Sequence, residues 1–417
     1  MIEVTGHDVK IFTDHFEESA KEQIEELLSI DVFSTKKIRI MPDVHAGAGC
    51  VIGFTGDLGD KVIPNIVGVD IGCGMRVLKF KAHGIDFHEF NNHIKANIPS
   101  GMWIREAKHG FKDFTGESMD LYRKAKELVN GLRCYRELKM SSRIHKSLGS
   151  LGGGNHFIEL DRDNDGWTYL VIHTGSRNLG KQVADIYQNR AIRHLTDGAD
   201  DLEESIKLMI STYKAAGRRT EIQAEIKRMR KAFHEAMPSL PKGLCYVEEG
   251  EREKYLNDMR ICQKWAVLNR QVIAIELMKF FKGVEIVEEF ESVHNYISDD
   301  NIIRKGAISA QLGERCIIPL NMRDGSLICT GKGNPDWNYS APHGAGRLLS
   351  RTAAYATIKQ EDFEESMRGI YTESVNDYTR DEAPMAYKPA QEIIDNIGPT
   401  VAIDNVIRPI FNFKASK

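Results

Sequence analysis

The strongest constraint on the fold of this chain is the placement of its glycine-rich polar clusters, which fall in two groups separated by about a hundred residues of helical character. Residues 36–80 alternate short apolar runs (IRIM, CVIGF, KVIPNIVGVDIG, RVLKF) with glycines. That pattern predicts buried strands joined by tight turns. Residues 118–148 read as helical, and Tyr169 to His173 (YLVIH) reads as a short buried strand entering the turn TGSRNLG. From about 181 to 282 the periodicity is helical. Leu202, Ile206, Met209, Ile210 and Tyr213 share one face, as do Ile222, Ile226, Met229 and Phe233, and both stripes read as packing faces. PSLPKG (238–243) interrupts the pattern, and a further helix covers about Lys254 to Phe281. After 285 the chain returns to short strands and glycine turns, then closes with a helical stretch and the strand-like VIRPIFNF. No internal repeat or Pro/Ser-rich linker divides it. With polar clusters at both ends, an α+β fold in one domain, 1–417, with a helical excursion at 199–240, fits better than separate modules.

At 417 residues and 41% hydrophobic content the chain can bury a large core. No run approaches the roughly 20 apolar residues that span a bilayer, and MIEVTGHDVKIF lacks a basic region followed by an apolar one. The expectation is a cytoplasmic protein with no membrane partner. Seven cysteines, an odd number, argue for reduced thiols over a disulfide framework. A net charge of −4 offers no global signal for nucleic acid, so any RNA contact must use a local patch. Residues 217–235 form one, with Arg218, Arg219, Lys227, Arg228, Arg230 and Lys231 against Glu221, Glu225 and Glu235. It reads either as a solvated helix face or as a sequence-independent footprint in which Lys227, Arg228, Arg230 and Lys231 contact RNA phosphates.

Several clusters carry chemistry. GVDIGCG places Asp70 and Cys73, a carboxylate and a thiol, among glycines that permit close backbone approach. GGGNHFIE (152–159) suits a backbone nest for phosphate beside His156, and His173, Arg177, His294 and Asn295 follow in HTGSR and VHNY. Asp70, Cys73, His156, His173 and His294 are too many ligands for one tetrahedral ion but suit two ions sharing the thiolate. Mixed N, O and S donors favour Mn, Zn, Fe or Co over Mg or Ca. Late in the chain, GKGNPDWNYSAPHGAGR sets His343 before small residues and Arg347. Histidine is a competent nucleotidyl acceptor, and its glycine-flanked position predicts that substitution leaves folding nearly unchanged.

MPDVHAGAG (41–49), GVDIGCGM (68–75), SLGGGNHFIE (150–159), HTGSR (173–177), HN (294–295), GKGNP (331–335), HGAGR (343–347) and EAPMAYK (382–388) occur in the order of the signatures of the RtcB RNA ligase family. Through them the chain resembles that family over nearly its whole length. The resemblance implies a composite fold whose β-rich core holds a dinuclear metal centre and is surrounded by helices. It implies a GTP- and Mn²⁺-dependent RNA ligase, acting in RNA repair or tRNA splicing, that joins 3′-phosphate or 2′,3′-cyclic phosphate ends to 5′-hydroxyl ends. His343 would carry the guanylyl group, with Asp43 orienting its ring and Arg347 offsetting charge. Cys73 would bridge two Mn²⁺ ions, one completed by His173 and His294, the other by Asp70 and His156. Asn155, Glu159, Gly344, Ala345, Gly346, Arg347 and Tyr387 would hold the guanylate, Lys414 would read the base, and Arg177 and Asn295 would contact RNA phosphate. An activator or release-factor-like partner is compatible with the family. The chain departs from the usual pattern at PLNMRDGS (319–326), which replaces a segment that supplies a serine to guanylate, at Pro342, and in HAGAG. The rival readings are a dinuclear metallohydrolase of phosphoesters and a non-catalytic RNA-binding protein.

Overall fold

The computed structural model describes residues 1–33, 36–105, 114–197, 199–236 and 240–415, and it is a mixed α+β fold. Its largest sheet has seven strands in the order Ile286–Val293, Gly74–Phe80, Thr168–Thr174, Phe157–Arg162, Val401–Lys414, Gly325–Gly331 and Arg315–Asn321. Each neighbouring pair is antiparallel. This alternation positions the site, because in antiparallel neighbours one strand begins where the next ends. Cys73 immediately precedes the 74–80 strand and His294 immediately follows the 286–293 strand. His173 lies next to the end of its strand, His156 just before its own, and Lys414 is the last residue of the 401–414 strand. The register pairs Met75 with His173, His173 with Phe157 and Phe157 with Lys414. Five adjacent strands therefore deliver residues far apart in sequence to one end of one sheet.

A second sheet has six strands in the order Ile2–Glu3, Val9–Ile11, Ile38–His45, Ile52–Asp57, Ile302–Lys305 and Tyr296–Ile297. Its Ile38–His45 strand loses register between Ile40 and His45, and Asp43 lies within that irregularity. Such a bulge re-aims a side chain away from the ladder. The 30-residue helix Glu249–Met278 packs on the Glu117–Asn130 and Arg177–Ile192 helices and on the 74–80 and 168–174 strands. Tyr255, Met259, Cys262, Trp265, Ile273 and Leu277 are buried along it, which anchors the helix under the functional end of the sheet.

Some expectations change in detail. KVIPNIVGVDIG is not one strand: Lys61–Val62 is followed by the helical turn Pro64–Val67, with proline in the position where its missing N–H costs nothing. Gly68 and Gly72 then take positive φ around Asp70. The 118–148 stretch divides into the helices Glu117–Asn130 and Ser141–Lys146, the first ending at Gly131. In the excursion, the helices Ala199–Ala215 and Ile222–Ala236 lie against each other, with Ile206 buried and the other stripe residues half-buried. Arg218 pairs with Glu221, Arg228 with Glu225 and Arg230 with Glu203, so three of the six basic residues meet carboxylates of the excursion itself. Residues 237–239, with Pro238 and Ser239 of the break, lie outside the described residues. All seven cysteines are buried and unbonded. Among the described residues no helix is long and apolar enough to cross a membrane.

Candidate active site

At the shared end of the seven-stranded sheet, two overlapping ligand groups form: Cys73 with His173 and His294, and Cys73 with Asp70 and His156. Within each group the donor atoms lie within 4.8 Å of one another. The His156 Nδ1–H donates to the Leu151 carbonyl at 2.9 Å and the His173 Nδ1–H to the Asn155 carbonyl at 3.2 Å. Each bond fixes the ring so that Nε2 faces the cluster, 3.4 Å and 3.3 Å from the Cys73 sulfur. His294 Nδ1 is buried with no partner among the described residues. Burial, then the neighbouring imidazoles, push His173 and His294 well below the ordinary histidine value, so both stay neutral. Burial and the Asp70 charge push the Cys73 thiol well up. Burial would raise Asp70, but the His156 ring, its Nε2 2.9 Å from the carboxylate, holds it down. Neutral imidazoles, a carboxylate and a buried thiol around an unpartnered nitrogen fit a divalent transition-metal cation, whose charge would draw off the thiol proton.

The loops that carry this cluster are held from below by two polar residues of the 249–278 helix. Arg270, fully buried, donates to the carbonyls of Gly72 and Thr174 at 2.9 and 2.8 Å and pairs with Glu291. Asn269 accepts from the Gly149 N–H at 2.7 Å and donates to Ser150 and Gly175. Neither stood out in the sequence, where they are two polar residues among many on a long helix.

His343 follows the short strand Ser340–Pro342 and reaches the cluster from outside the seven-stranded sheet, its ring centroid 4.8 Å from that of His294. Its Nδ1–H donates to the Asp43 carboxylate at 2.7 Å, and its backbone N–H to the same oxygen at 3.2 Å. Asp43 is fully buried and its other carboxylate oxygen has no partner among the described residues. The pairing thus holds the ring and leaves Nε2 without a protein partner among the described residues. Beside it, the N–H groups of Gly344, Ala345 and Gly346 make no protein hydrogen bond among the described residues. A Cβ on Gly346 would come within 2.3 Å of the Asp43 carbonyl, so glycine is required for this approach. Burial, against its bond to the Asp43 carbonyl, lowers His45 to about 4.

Asp70, Cys73, His173, His294 and His343, with Gly344 to Gly346, line a cleft of about 550 Å³ that continues to Asn155, Glu159, Arg347, Tyr387 and Lys414. At its far end stands Glu382, which sequence reasoning quoted within EAPMAYK but gave no role. The Lys414 ammonium lies 2.9 Å from its carboxylate, the Tyr387 hydroxyl donates to it at 2.7 Å, and Arg347 and Arg351 lie 3.4 and 3.0 Å away. Burial would raise Glu382, but Lys414, Arg351 and Arg347 outweigh it and hold the carboxyl far below its ordinary value. Arg347 also donates to the Asp381 carbonyl at 2.6 Å and faces the Tyr387 ring. Glu382→Gln is expected to destabilise the fold by about 3 kcal/mol near neutrality, because breaking a buried pair leaves its cations uncompensated. The difference from wild type is full above 4.5, the ordinary carboxylate value, and shrinks as falling pH protonates Glu382. Urea denaturation near neutrality and in acid measures it; a variant as stable as wild type near neutrality would remove this strut.

Glu159 is pushed up to about 7 by burial, against the neighbouring Asp161 carboxyl and a bond from Asn412, which donates at 2.5 Å. Burial and the neighbouring Glu159 push Asp161 well above its ordinary value too. Within PLNMRDGS, Pro319 to Met322 and Gly325 line the cleft, whereas Ser326 is buried in the sheet and absent from the lining. Arg177 and Asn295 both adopt left-handed backbone, at φ 58° and 62°, conformations that non-glycine residues keep only where surroundings enforce them. Arg177 donates to the Gly101 carbonyl at 2.9 Å and packs over Gly152, where a Cβ would lie 1.8 Å from its guanidinium. Asn295 donates to the Asp70 carbonyl and accepts from the Gly306 N–H at 2.8 Å. Asn295 therefore braces the turn at Asp70, and Arg177 braces the glycine loop at 150–152 against Gly101.

Residues 23–415 match the family described as tRNA-splicing ligase RtcB. The chain is 28% identical over 406 residues to the RNA-splicing ligase RtcB1 of Escherichia coli strain ATCC 25922, covering 91% of this chain and 90% of the relative. It is 27% identical to the tRNA-splicing ligase RtcB of Aeropyrum pernix, over 89% and 86% of the two chains, and 24% identical to that of Archaeoglobus fulgidus, over 85% and 82%. Family match, ligand cluster and paired histidine agree, and the chain belongs to the RtcB family of tRNA-splicing ligases.

Proposed function

We propose that this protein is a GTP-dependent RNA ligase that joins a 3′-phosphate or 2′,3′-cyclic phosphate end to a 5′-hydroxyl end through guanylylated His343, in RNA repair or tRNA splicing. The observation that carries the reading is His343 itself, clamped through Nδ1 by a fully buried carboxylate and set against the ligand cluster. A dinuclear metallohydrolase, whose nucleophile is a metal-activated water, does not require such a nucleotidyl acceptor. We read residues 1–417 as one catalytic unit on which the 199–240 excursion is carried.

Two Mn²⁺ ions, one on Cys73, His173 and His294 and the other on Cys73, Asp70 and His156, would neutralise phosphate charge at the reacting phosphorus. The protein's own groups do the rest. His343 Nε2 attacks the α-phosphorus of GTP, the bond to pyrophosphate breaks, and Asp43 stabilises the positive ring through Nδ1–H. The free N–H groups of Gly344 to Gly346 receive the phosphoryl oxygens, and Arg347 lies beside them. A 3′-phosphate oxygen of RNA then attacks the guanylyl phosphorus and the His343–phosphorus bond breaks, returning the neutral ring. Finally the 5′-hydroxyl attacks the activated 3′-phosphate, GMP departs, and a 3′,5′-phosphodiester remains. A cyclic phosphate is opened by water beforehand. Arg177 and Asn295 hold the RNA phosphate, and Asn155, Glu159 and Tyr387 hold the guanylate.

Incubation with labelled GTP and Mn²⁺ tests the reading. A stable protein–guanylate adduct that RNA with a 3′-phosphate discharges is expected; hydrolysis of phosphoesters without an adduct would overturn it. The same assay examines base choice. Lys414→Ala is expected to narrow the preference for GTP over ATP in adduct formation by about ten- to a hundredfold, the worth of one charged hydrogen bond to the guanine carbonyl. Unchanged discrimination would assign base reading to another residue.

A further inference from the structure

Beside the glycine nest 152–155, a short turn presents an exposed aromatic ring that makes no ring contact among the described residues. Ser100 bridges Gly152, and the Gly101 N–H donates to the Gly152 carbonyl at 2.8 Å, so the turn runs alongside the nest that ends in exposed Asn155 at the cleft. Two guanidinium groups grip consecutive carbonyls of this turn: Arg177 holds Gly101 at 2.9 Å and Arg143 holds Met102 at 2.8 Å. The next side chain, Trp103, is 70% exposed, with Met102 at 86% beside it. Trp103 makes no ring contact among the described residues, whereas Trp265 and Trp337 are buried. A rigidly held turn, an outward indole and two flanking cations, continuous with the nest, combine the two elements that hold single-stranded nucleic acid: a stacking face and positive charge for the backbone. The charge on this side also selects the partner, since an unpaired aromatic flanked by guanidinium groups suits a base attached to a phosphodiester chain better than an apolar protein surface.

We propose that Trp103 is a stacking platform for a nucleobase of the RNA strand near the end being joined, a subsite outside the guanylate pocket; this rests on the ligase reading above. The strand's phosphate passes Arg177 while a base lies on the indole. Because stacking uses the π-face that every base has, the subsite tolerates sequence but requires an unpaired base.

The test uses the full protein and a single-stranded RNA with a 3′-phosphate. Trp103 is the most exposed of the four tryptophans, so RNA binding is expected to quench intrinsic fluorescence in wild type. Trp103→Ala is expected to weaken RNA affinity about tenfold, with Trp103→Phe recovering most of the loss. Abasic substitutions scanned along the strand should reveal one position where the wild type loses affinity and Trp103→Ala does not. Equal abasic profiles in the two proteins, or alanine and phenylalanine variants that bind RNA as wild type does, would overturn the platform. A changed oligomeric state in Trp103→Ala with RNA affinity unmoved would assign the ring to a protein contact and overturn it equally. The ligase reading fails separately: wild-type protein that binds RNA with the tryptophan quenched yet forms no guanylate adduct keeps the platform and loses the ligase.

Discussion

His343→Ala abolishes the protein–guanylate adduct and with it ligation, the largest effect expected of any single substitution, because among the described residues no other imidazole in the cleft has its Nδ1 anchored by a carboxylate. The structure also revises what the variant does to the fold. Its glycine-flanked position suggested a residue without structural duty, but Asp43 is fully buried and already has one oxygen without a partner. Removing the imidazole leaves its carboxylate with the His343 backbone N–H as its remaining donor. The expected cost is about 1–3 kcal/mol, the penalty for an incompletely satisfied buried acceptor. His343→Asn separates the two effects, since an amide N–H can replace Nδ1–H towards Asp43 but cannot accept a guanylyl group. Adduct yield by mass spectrometry and stability by urea denaturation are the readouts. A wild-type adduct yield in either variant would remove His343 from the chemistry.

Cys73→Ala empties the metal centre. The residue belongs to both ligand groups, so its loss leaves each with two donors, His173 with His294 and Asp70 with His156. Even outer-shell losses weaken metal sites about 10- to 100-fold, and loss of a shared thiolate is expected to exceed that. Metal content of the purified variant should fall towards zero with ligation undetectable, while an unchanged metal stoichiometry would refute a shared thiolate. The pH dependence has a definite sign. Without metal the Cys73 thiol is held well above its ordinary value by burial and Asp70, so the metal must displace a proton. Affinity therefore rises with pH by up to about tenfold per unit while the thiol remains protonated. Calorimetry in buffers of different ionisation enthalpy counts the proton released; binding that ignores pH would mean the thiolate is not a ligand.

Much of the site was legible because it is written in residue types with few other uses. Glycine runs such as GGGNH, TGSR and HGAGR mark positions where a side chain cannot fit. In the fold a Cβ on Gly152 would strike Arg177, one on Gly175 would lie 2.2 Å from the Asp70 carboxylate, and one on Gly346 would meet the Asp43 backbone. Cysteine and histidine among such glycines advertise ligands by chemistry alone. Glu382, Arg351, Asn269 and Arg270 were not legible. Their importance comes from what lies opposite them, and acidic or basic residues without a local pattern read as ordinary surface. Trp103 escaped because it stands in SGMWIRE, a short mixed segment whose pattern does not say whether the fold leaves its ring inside or outside.

The amino-acid sequence alone determined the broad alternation of strand-rich and helical stretches, the glycine turns and the identity of the donor atoms, because periodicity and backbone freedom act over a few neighbouring residues. Only the tertiary structure decided that five antiparallel strands present Cys73, His156, His173, His294 and Lys414 at one end, and that His343 is brought from beyond the sheet to His294. It alone decided that Asp43, three hundred residues earlier, is the buried anchor of that ring. Such distances are set by long-range sheet register and by the packing of the 249–278 helix, and no local pattern of side chains encodes them.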